Sequence, residues 1–289
     1  MLQLVRAVLT RISFLDQPTR YSPVVYLTEQ SHQSFKPQLR KAGLLDRDDL
    51  VILHRWDLPT RFTWIKTMDA AVIKASEIGA KLIVVDTLSQ FAGLQGDDEN
   101  NSGAAYVALE PLQRAAQSGL ALLLPRHERK GGGEVGDSAR GSSAFGGAVD
   151  IILALQRPQG RAETVRVLHA VGRTDPPPAI TLDYRRDDGL YVALGPETAV
   201  RHQEAKSVIR ERLPFSFENG DTEKTIITRA VERDHVKAGT ARDALRELVE
   251  SGEVQRRKVG RQRYIYWRSL AQTDEVETGK GHSPNDEAA

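Results

Sequence analysis

Two carboxylates stand where a buried strand would present them to a ligand. Glu29 follows Val24-Val25-Tyr26-Leu27-Thr28, and Asp86 closes Leu82-Ile83-Val84-Val85. In a parallel sheet, ligands bind at the carboxyl ends of the strands. Four apolar residues followed by Asp is a Walker B pattern, in which the carboxylate holds the water shell of Mg²⁺ on a nucleoside triphosphate. An Asp in that place also serves as a helix cap or turn former. The next apolar run, Leu120 to Leu124, leads to His127, then to Arg129, Lys130 and glycines 131–133 and 136. A histidine at a strand end either satisfies local structure or donates to a phosphate oxygen. Lys130 and Arg140, on a glycine-rich loop, have the chemistry to pair with phosphates, or they belong to a solvated surface.

A second constellation lies near the carboxyl end of the sequence. Ala244, Leu245, Leu248 and Val249 give one helix an apolar face and turn Arg242 and Arg246 outward. Thr240 and Asp243 have the spacing of a capping box at its start. A basic stretch follows, with Arg256, Arg257, Lys258, Arg261 and Arg263 around Gly260 and with Tyr264, Tyr266 and Trp267 behind them. Six basic groups against Glu253 between residues 253 and 268 suit phosphate contacts. The alternative is a basic hairpin that packs on a partner protein.

The elements that must position these groups follow from periodicity. Leu2, Val5 and Leu9 have helical spacing, and so do the apolar residues from Phe62 to Ile78, ended by Gly79. Strands are expected at 23–30, 49–54, 81–86 and 119–127, with a helix over 104–118 in which Pro111 marks a kink or restart. Four strands without helices between them follow at 151–156, 163–171, 179–184 and 190–194, with Asp187-Asp188-Gly189 as a hairpin turn. Alternating strands and helices followed by a strand-only set imply an α/β fold whose central sheet is parallel and whose edge strands are antiparallel. Helices at 204–212, 222–233 and 240–251 and then a basic hairpin have the order of a small winged helix-turn-helix domain.

Composition narrows the classes. The 289 residues carry 40 Lys and Arg against 39 Asp and Glu, with 40% apolar residues, which is globular rather than disordered. The absence of Cys excludes disulfides, zinc fingers and thiol catalysis. The apolar runs are too short to span a bilayer, and the first ten residues lack a signal-peptide cleavage pattern, so a cytoplasmic protein with no membrane partner is expected. Charge is unevenly spread: net +1 over 1–202, +4 over 203–268 and −4 over 269–289. Domains are therefore expected at 1–198 and 203–268, followed by a disordered acidic tail over 269–289.

Taken together, VVYLTEQSHQSFKPQLRKAGL, KLIVVDTLSQFAG, LLLPRHERKGGG and ARGSSAFGGAVDIILAL resemble the RecA-like P-loop ATPases related to the RepA hexameric replicative helicases. The resemblance covers about residues 1–195. It implies ATP and Mg²⁺ as cofactors, DNA as a partner and a homo-oligomeric ring. By resemblance, Glu29 polarises the attacking water, Asp86 organises Mg²⁺, and His127 senses the γ-phosphate. Lys130, Arg140, Ser142 and Ser143 belong to the loop that faces DNA. Arg173, after the fourth of these segments, is the residue presented to the neighbouring subunit's nucleotide. Pro125-Arg126 before His127 and Val171 before Arg173 depart from the usual pattern.

The family's phosphate-binding loop, Gly-x-x-x-x-Gly-Lys-Ser/Thr, does not occur in these residues. Residues 1–10 have the character of the helix that follows such a loop, so Met1 is expected to be an internal methionine of a longer protein. The 289 residues as written are expected not to bind ATP tightly. The function this implies is an ATP-dependent DNA motor with an appended winged helix. The alternative is a non-enzymatic winged-helix regulator of DNA on a vestigial RecA-like scaffold.

Overall fold

The computed structural model describes residues 1–95, 98, 101–126, 143–173 and 175–269. They divide into two compact units, Met1–Glu197 and Thr198–Ala289.

The first unit is a mixed α/β structure around a four-stranded parallel sheet. Its strands are β1 (Val24–Thr28), β2 (Leu50–His54), β3 (Leu82–Asp86) and β4 (Ala121–Leu123), in the order β2-β1-β3-β4. All five residues of β1 are buried, as a central strand covered on both faces requires. Alternation along the strands then sorts the core into two halves. Val25, Leu27, Ile83 and Val85 pack with Met68, Ala71 and Ala75 of α3 (Trp64–Ile78) and with Leu109 and Leu112 of α5 (Ser102–Gln117). Val24, Tyr26 and Val84 face the other way, onto Val5 and Leu9 of α1 (Leu2–Thr10) and Phe35 and Leu39 of α2 (His32–Ala42). The short helix α4 (Leu88–Ala92) follows Asp86 directly.

Local chemistry sets the helix ends. Thr63 caps α3 by accepting from the Lys66 N–H, and Gly79 ends it at φ 69°, a left-handed conformation that costs glycine little. Asn101 caps α5, which runs as one helix through the buried Pro111, so of the kink or restart expected there the restart does not occur. The helix α2 falls in a stretch to which periodicity assigned no element. Ser31 caps its start and Gly43 its end, and only Phe35 and Leu39 are buried. Two buried positions in eleven residues make a weak pattern.

The expected antiparallel strands are present as β5 (Ile151–Gln156), β6 (Val165–Gly172), β7 (Ile180–Arg185) and β8 (Leu190–Pro196), but they form a sheet of their own, in the order β5-β6-β7-β8. The single sheet expected from the sequence is thus two sheets among the described residues. On these residues β4 pairs only with β3, and β5 only with β6, so each sheet ends on an open edge. The edge of β5 carries Ile151, Leu153 and Leu155 at 48%, 53% and 43% exposure. Strand β4 is also shorter than expected, three residues in place of the run 119–127. At the far edge, the Gln3 side chain of α1 donates to the Tyr191 carbonyl at 2.8 Å and accepts from its N–H at 2.9 Å, pairing with β8 as a further strand would.

The second unit contains most of the helix Glu197–Arg212, which begins seven residues before the expected 204, then β9 (Asp221–Thr222) and the helices Glu223–Asp234 and Ala238–Glu250. The strands β10 (Val254–Lys258) and β11 (Tyr264–Arg268) form a hairpin, and β9 adds to it in the order β10-β11-β9. The pairing of β9 with Ile265 and Tyr266 requires close backbone approach. A Cβ on Gly220 would lie 2.8 Å from the Tyr266 carbonyl oxygen. The core of the unit is built from Ala205, Ile209, Ile227, Ala230, Ala241, Ala244, Leu245, Leu248, Val254 and Tyr266.

Candidate functional site

In the first unit, parallel pairing places Thr28 opposite Asp86, so Glu29 emerges beside the end of β3. The Glu29 N–H donates to the Asp86 carbonyl at 3.1 Å, and the Glu29 carboxylate accepts from the Thr87 N–H. The peptide between Asp86 and Thr87 is cis. Tyr26, buried on the α1–α2 side, donates its hydroxyl to Oδ2 of Asp86 at 2.6 Å. Burial, with Asp86 and Glu29 nearby, raises the Tyr26 phenol above its ordinary value and keeps it a neutral donor. The two carboxylates therefore meet at the carboxyl ends of the adjacent inner strands β1 and β3.

The backbone that carries Glu29 is held from β2 and the short 3₁₀ turn Arg55–Asp57. Trp56, 68% exposed, donates its indole N–H to the Glu29 carbonyl at 2.8 Å. His54 Nδ1 donates to the Gln30 carbonyl at 2.9 Å, and the His54 ring lies 3.7 Å from that of His32. His32 Nε2 in turn pairs with Asp57 at 2.7 Å. Motif spacing and periodicity single out none of Tyr26, Thr87 and Trp56. Tyr26 had a legible signal, since a tyrosine in a fully buried strand needs a partner for its hydroxyl.

His127, Lys130, Arg140 and Ser142 lie outside the described residues, and Ser143 opens the helix Ser143–Ala148 (α6). The described flanks of that segment meet, with the Arg126 guanidinium 4.1 Å from the ring centroid of the buried Phe145. Arg173, just past β6, turns to its own chain. Its guanidinium donates to the Gly147 carbonyl and lies 3.8 Å from Asp150, and its N–H donates to the Asp150 carbonyl at 3.0 Å.

In the second unit, the helix Ala238–Glu250 buries Ala241, Ala244, Leu245 and Leu248 and exposes Arg242 and Arg246. It begins at Ala238 with no side-chain cap, so the capping box expected at Thr240 does not form. Arg246 pairs with Asp243 at 2.7 Å and Arg242 with Glu223 at 4.0 Å. Directly paired residues of an antiparallel hairpin share a face. Arg256 and Lys258 therefore lie with Tyr266 and Tyr264, while Arg257 lies with Ile265 on the opposite face. Arg256 stacks on Tyr264 at 5.3 Å, and Arg257 sits 3.2 Å above Phe217, whose ring meets Trp267 edge-on. Lys258, Arg261 and Arg263 have no partner among the described residues. The basic cluster read as one surface is thus divided between two faces.

A family model described as an AAA domain matches residues 1–133, the stretch that holds Glu29 and Asp86. No curated protein matches the chain. Among solved structures, that of a KaiC-like protein from the hyperthermophilic archaeon Pyrococcus horikoshii OT3 aligns with a TM-score of 0.42 at 14% identity, over 60% of this chain and 76% of that one. Among the described residues, no helix is long and apolar enough to cross a membrane.

Proposed function

We propose that the first unit is a nucleotide-hydrolysing domain of the RecA-like type and that the second is a winged helix that delivers it to DNA, the whole acting as an ATP-driven DNA motor assembled as a ring. The observation that carries the catalytic half is the meeting of Glu29 and Asp86 at the carboxyl ends of the adjacent inner strands β1 and β3. The AAA domain match over the same residues supports it.

The residues fit a hydrated Mg²⁺. Tyr26 holds one oxygen of the Asp86 carboxylate and leaves the other for the metal's water shell. Bound there, the ion would neutralise charge on a phosphoryl group. Glu29, tied to Thr87 through one carboxylate oxygen, uses the other to orient and polarise a water for attack. The phosphates need more than these strand ends provide. The glycine-rich loop with its Lys and Ser/Thr is not among these residues, and the open edges of β4 and β5 are where a strand carrying it would pair. Arg173 acts across a subunit boundary in this reading, so assembly must release it from Gly147 and Asp150.

The DNA half rests on the exposed Arg242 and Arg246 and on Lys258, Arg261 and Arg263 at the hairpin tip. Each cation that neutralises a backbone phosphate contributes to a steep salt dependence. The basic second unit, with 15 basic against 11 acidic residues over 203–268, also supports a second reading, a DNA-binding regulator whose first unit is a scaffold without turnover. A titration of labelled ATP with Mg²⁺ separates the two. It is run on this chain and on the chain joined in frame, ahead of Met1, to a strand and Gly-x-x-x-x-Gly-Lys-Thr loop. Binding gained on joining supports the motor, and no binding to the folded joined chain supports the scaffold.

A further inference from the structure

A groove of about 510 Å³ opens between the start of the helix Glu223–Asp234, Arg242 on the next helix and the hairpin strand β11. Lys224 and Thr228 line one wall and Arg263, Tyr264 and Tyr266 the other. Lys224 and Arg263 are exposed and have no partner among the described residues. Arg242 is held at the rim by Glu223, the one acid in the lining. A fourth cation stands behind the tyrosines, where Arg256 stacks on Tyr264 and lies opposite Tyr266 in the hairpin.

We propose that this groove is a phosphate seat, with Lys224 and Arg263 closing on the anion from opposite walls and Arg242 from the rim. Three cations against one carboxylate repel one another when the groove is empty, so a dianionic or diester phosphate relieves the repulsion as it binds. The Thr228 and Tyr264 hydroxyls supply neutral donors beside them. The volume far exceeds one phosphate group, which favours a phosphate with sugars on both sides, that of a nucleic-acid backbone, over the free ion. For that source the inference rests on the nucleic-acid reading of the second unit. It adds Lys224 and Thr228, on a helix to which that reading gave no contact.

The test uses the full chain and a fluorescent duplex of about 20 base pairs of arbitrary sequence, followed by polarisation at several salt concentrations. Lys224→Gln with Arg263→Gln is compared with a control that removes two exposed charges in the first unit, Lys36→Gln with Lys66→Gln, and circular dichroism confirms that both fold. A second arm titrates pyrophosphate by calorimetry. The expected result is a slope of log affinity on log salt flatter by about 1.8 for the groove variant, about two phosphates, with the control unchanged. Duplex binding with the same slope in the groove variant and the parent overturns the seat and leaves the nucleic-acid reading standing. Pyrophosphate binding that the groove variant loses, with no duplex binding by the parent, keeps the seat and rejects the nucleic-acid source. Binding of neither probe overturns both.

Discussion

Tyr26 donates its hydroxyl to Oδ2 of Asp86 at 2.6 Å from the neighbouring parallel strand, so the carboxylate at the end of β3 is oriented by a residue buried in β1. Tyr26→Phe removes the hydroxyl and leaves the ring against Phe35. Loss of this charge-assisted bond should lower the unfolding free energy by about 1–2 kcal/mol in urea titration. The pH dependence has a definite sign. The folded state raises the Tyr26 phenol above its ordinary value, mainly through burial and then through the Asp86 bond. Its contribution is present below about pH 10 and fades as pH rises beyond that, because only the unfolded phenol ionises readily there. Tyr26→Phe should flatten the alkaline loss of stability, and an unchanged alkaline limb would remove Tyr26 from this role.

The hairpin faces predict an unequal division of labour among its cations. Lys258→Gln with Arg261→Gln should flatten the salt slope of duplex binding by about 1.8, since neither has a partner among the described residues. Arg257→Gln should flatten it by much less. It should instead lower the stability of the second unit by about 0.5–1 kcal/mol through the lost stacking on Phe217. Equal slope changes would mean that Arg257 leaves Phe217 to reach DNA.

On the helix Ala238–Glu250, Arg242 and Arg246 are each engaged with an acid, Glu223 and Asp243. Reading base edges requires those pairs to open. Arg242→Ala should reduce discrimination between preferred and random duplexes by about 1–3 kcal/mol and flatten the salt slope by no more than about 0.9, its one phosphate contact at the groove rim. Competition binding with selected sequences measures this, and undiminished preference would assign discrimination to other residues.

The second unit carries its own acid sensitivity. Lys206, and then His202, hold the Glu247 carboxyl below its usual value, linking the helices Glu197–Arg212 and Ala238–Glu250. A depressed carboxyl stabilises the fold above its unfolded pKa, and the effect is lost as pH falls through the lowered value. Unfolding of the parent should therefore grow easier below about pH 4.5, and Lys206→Met should weaken that dependence. Identical acid limbs in the two would exclude the pair as a contributor.

What the sequence made legible is the part that burial dictates. Strands β1 and β3 are unbroken apolar runs because both faces of a parallel sheet are covered, and the acids at their ends mark where the runs stop. The helix α2 escaped because its eleven residues bury only Phe35 and Leu39 and contain Pro37, so caps at Ser31 and Gly43 define it more than periodicity does. The separation of the antiparallel strands into their own sheet escaped because alternation reports faces, and nothing in it reports which edge a strand pairs with. The charge count found the hairpin's cations but not their two directions, which depend on the register Arg256 to Tyr266 and Arg257 to Ile265. Tyr26 and Lys224 went unassigned for a related reason: each gains its role from a residue distant in sequence, Asp86 and Arg263.

Hydrolysis at Glu29 and Asp86, on the carboxyl ends of β1 and β3, is read by phosphate release. The measurement uses the chain joined to a strand and Gly-x-x-x-x-Gly-Lys-Thr loop ahead of Met1. Mg²⁺-dependent ATP turnover should fall by about 100-fold or more in Glu29→Gln and in Asp86→Asn, with ATP still bound by Glu29→Gln. Tight ATP binding should be missing from the 289 residues alone. Turnover in Glu29→Gln equal to that of the parent, or submicromolar ATP binding by the 289 residues without the loop, would contradict this reading.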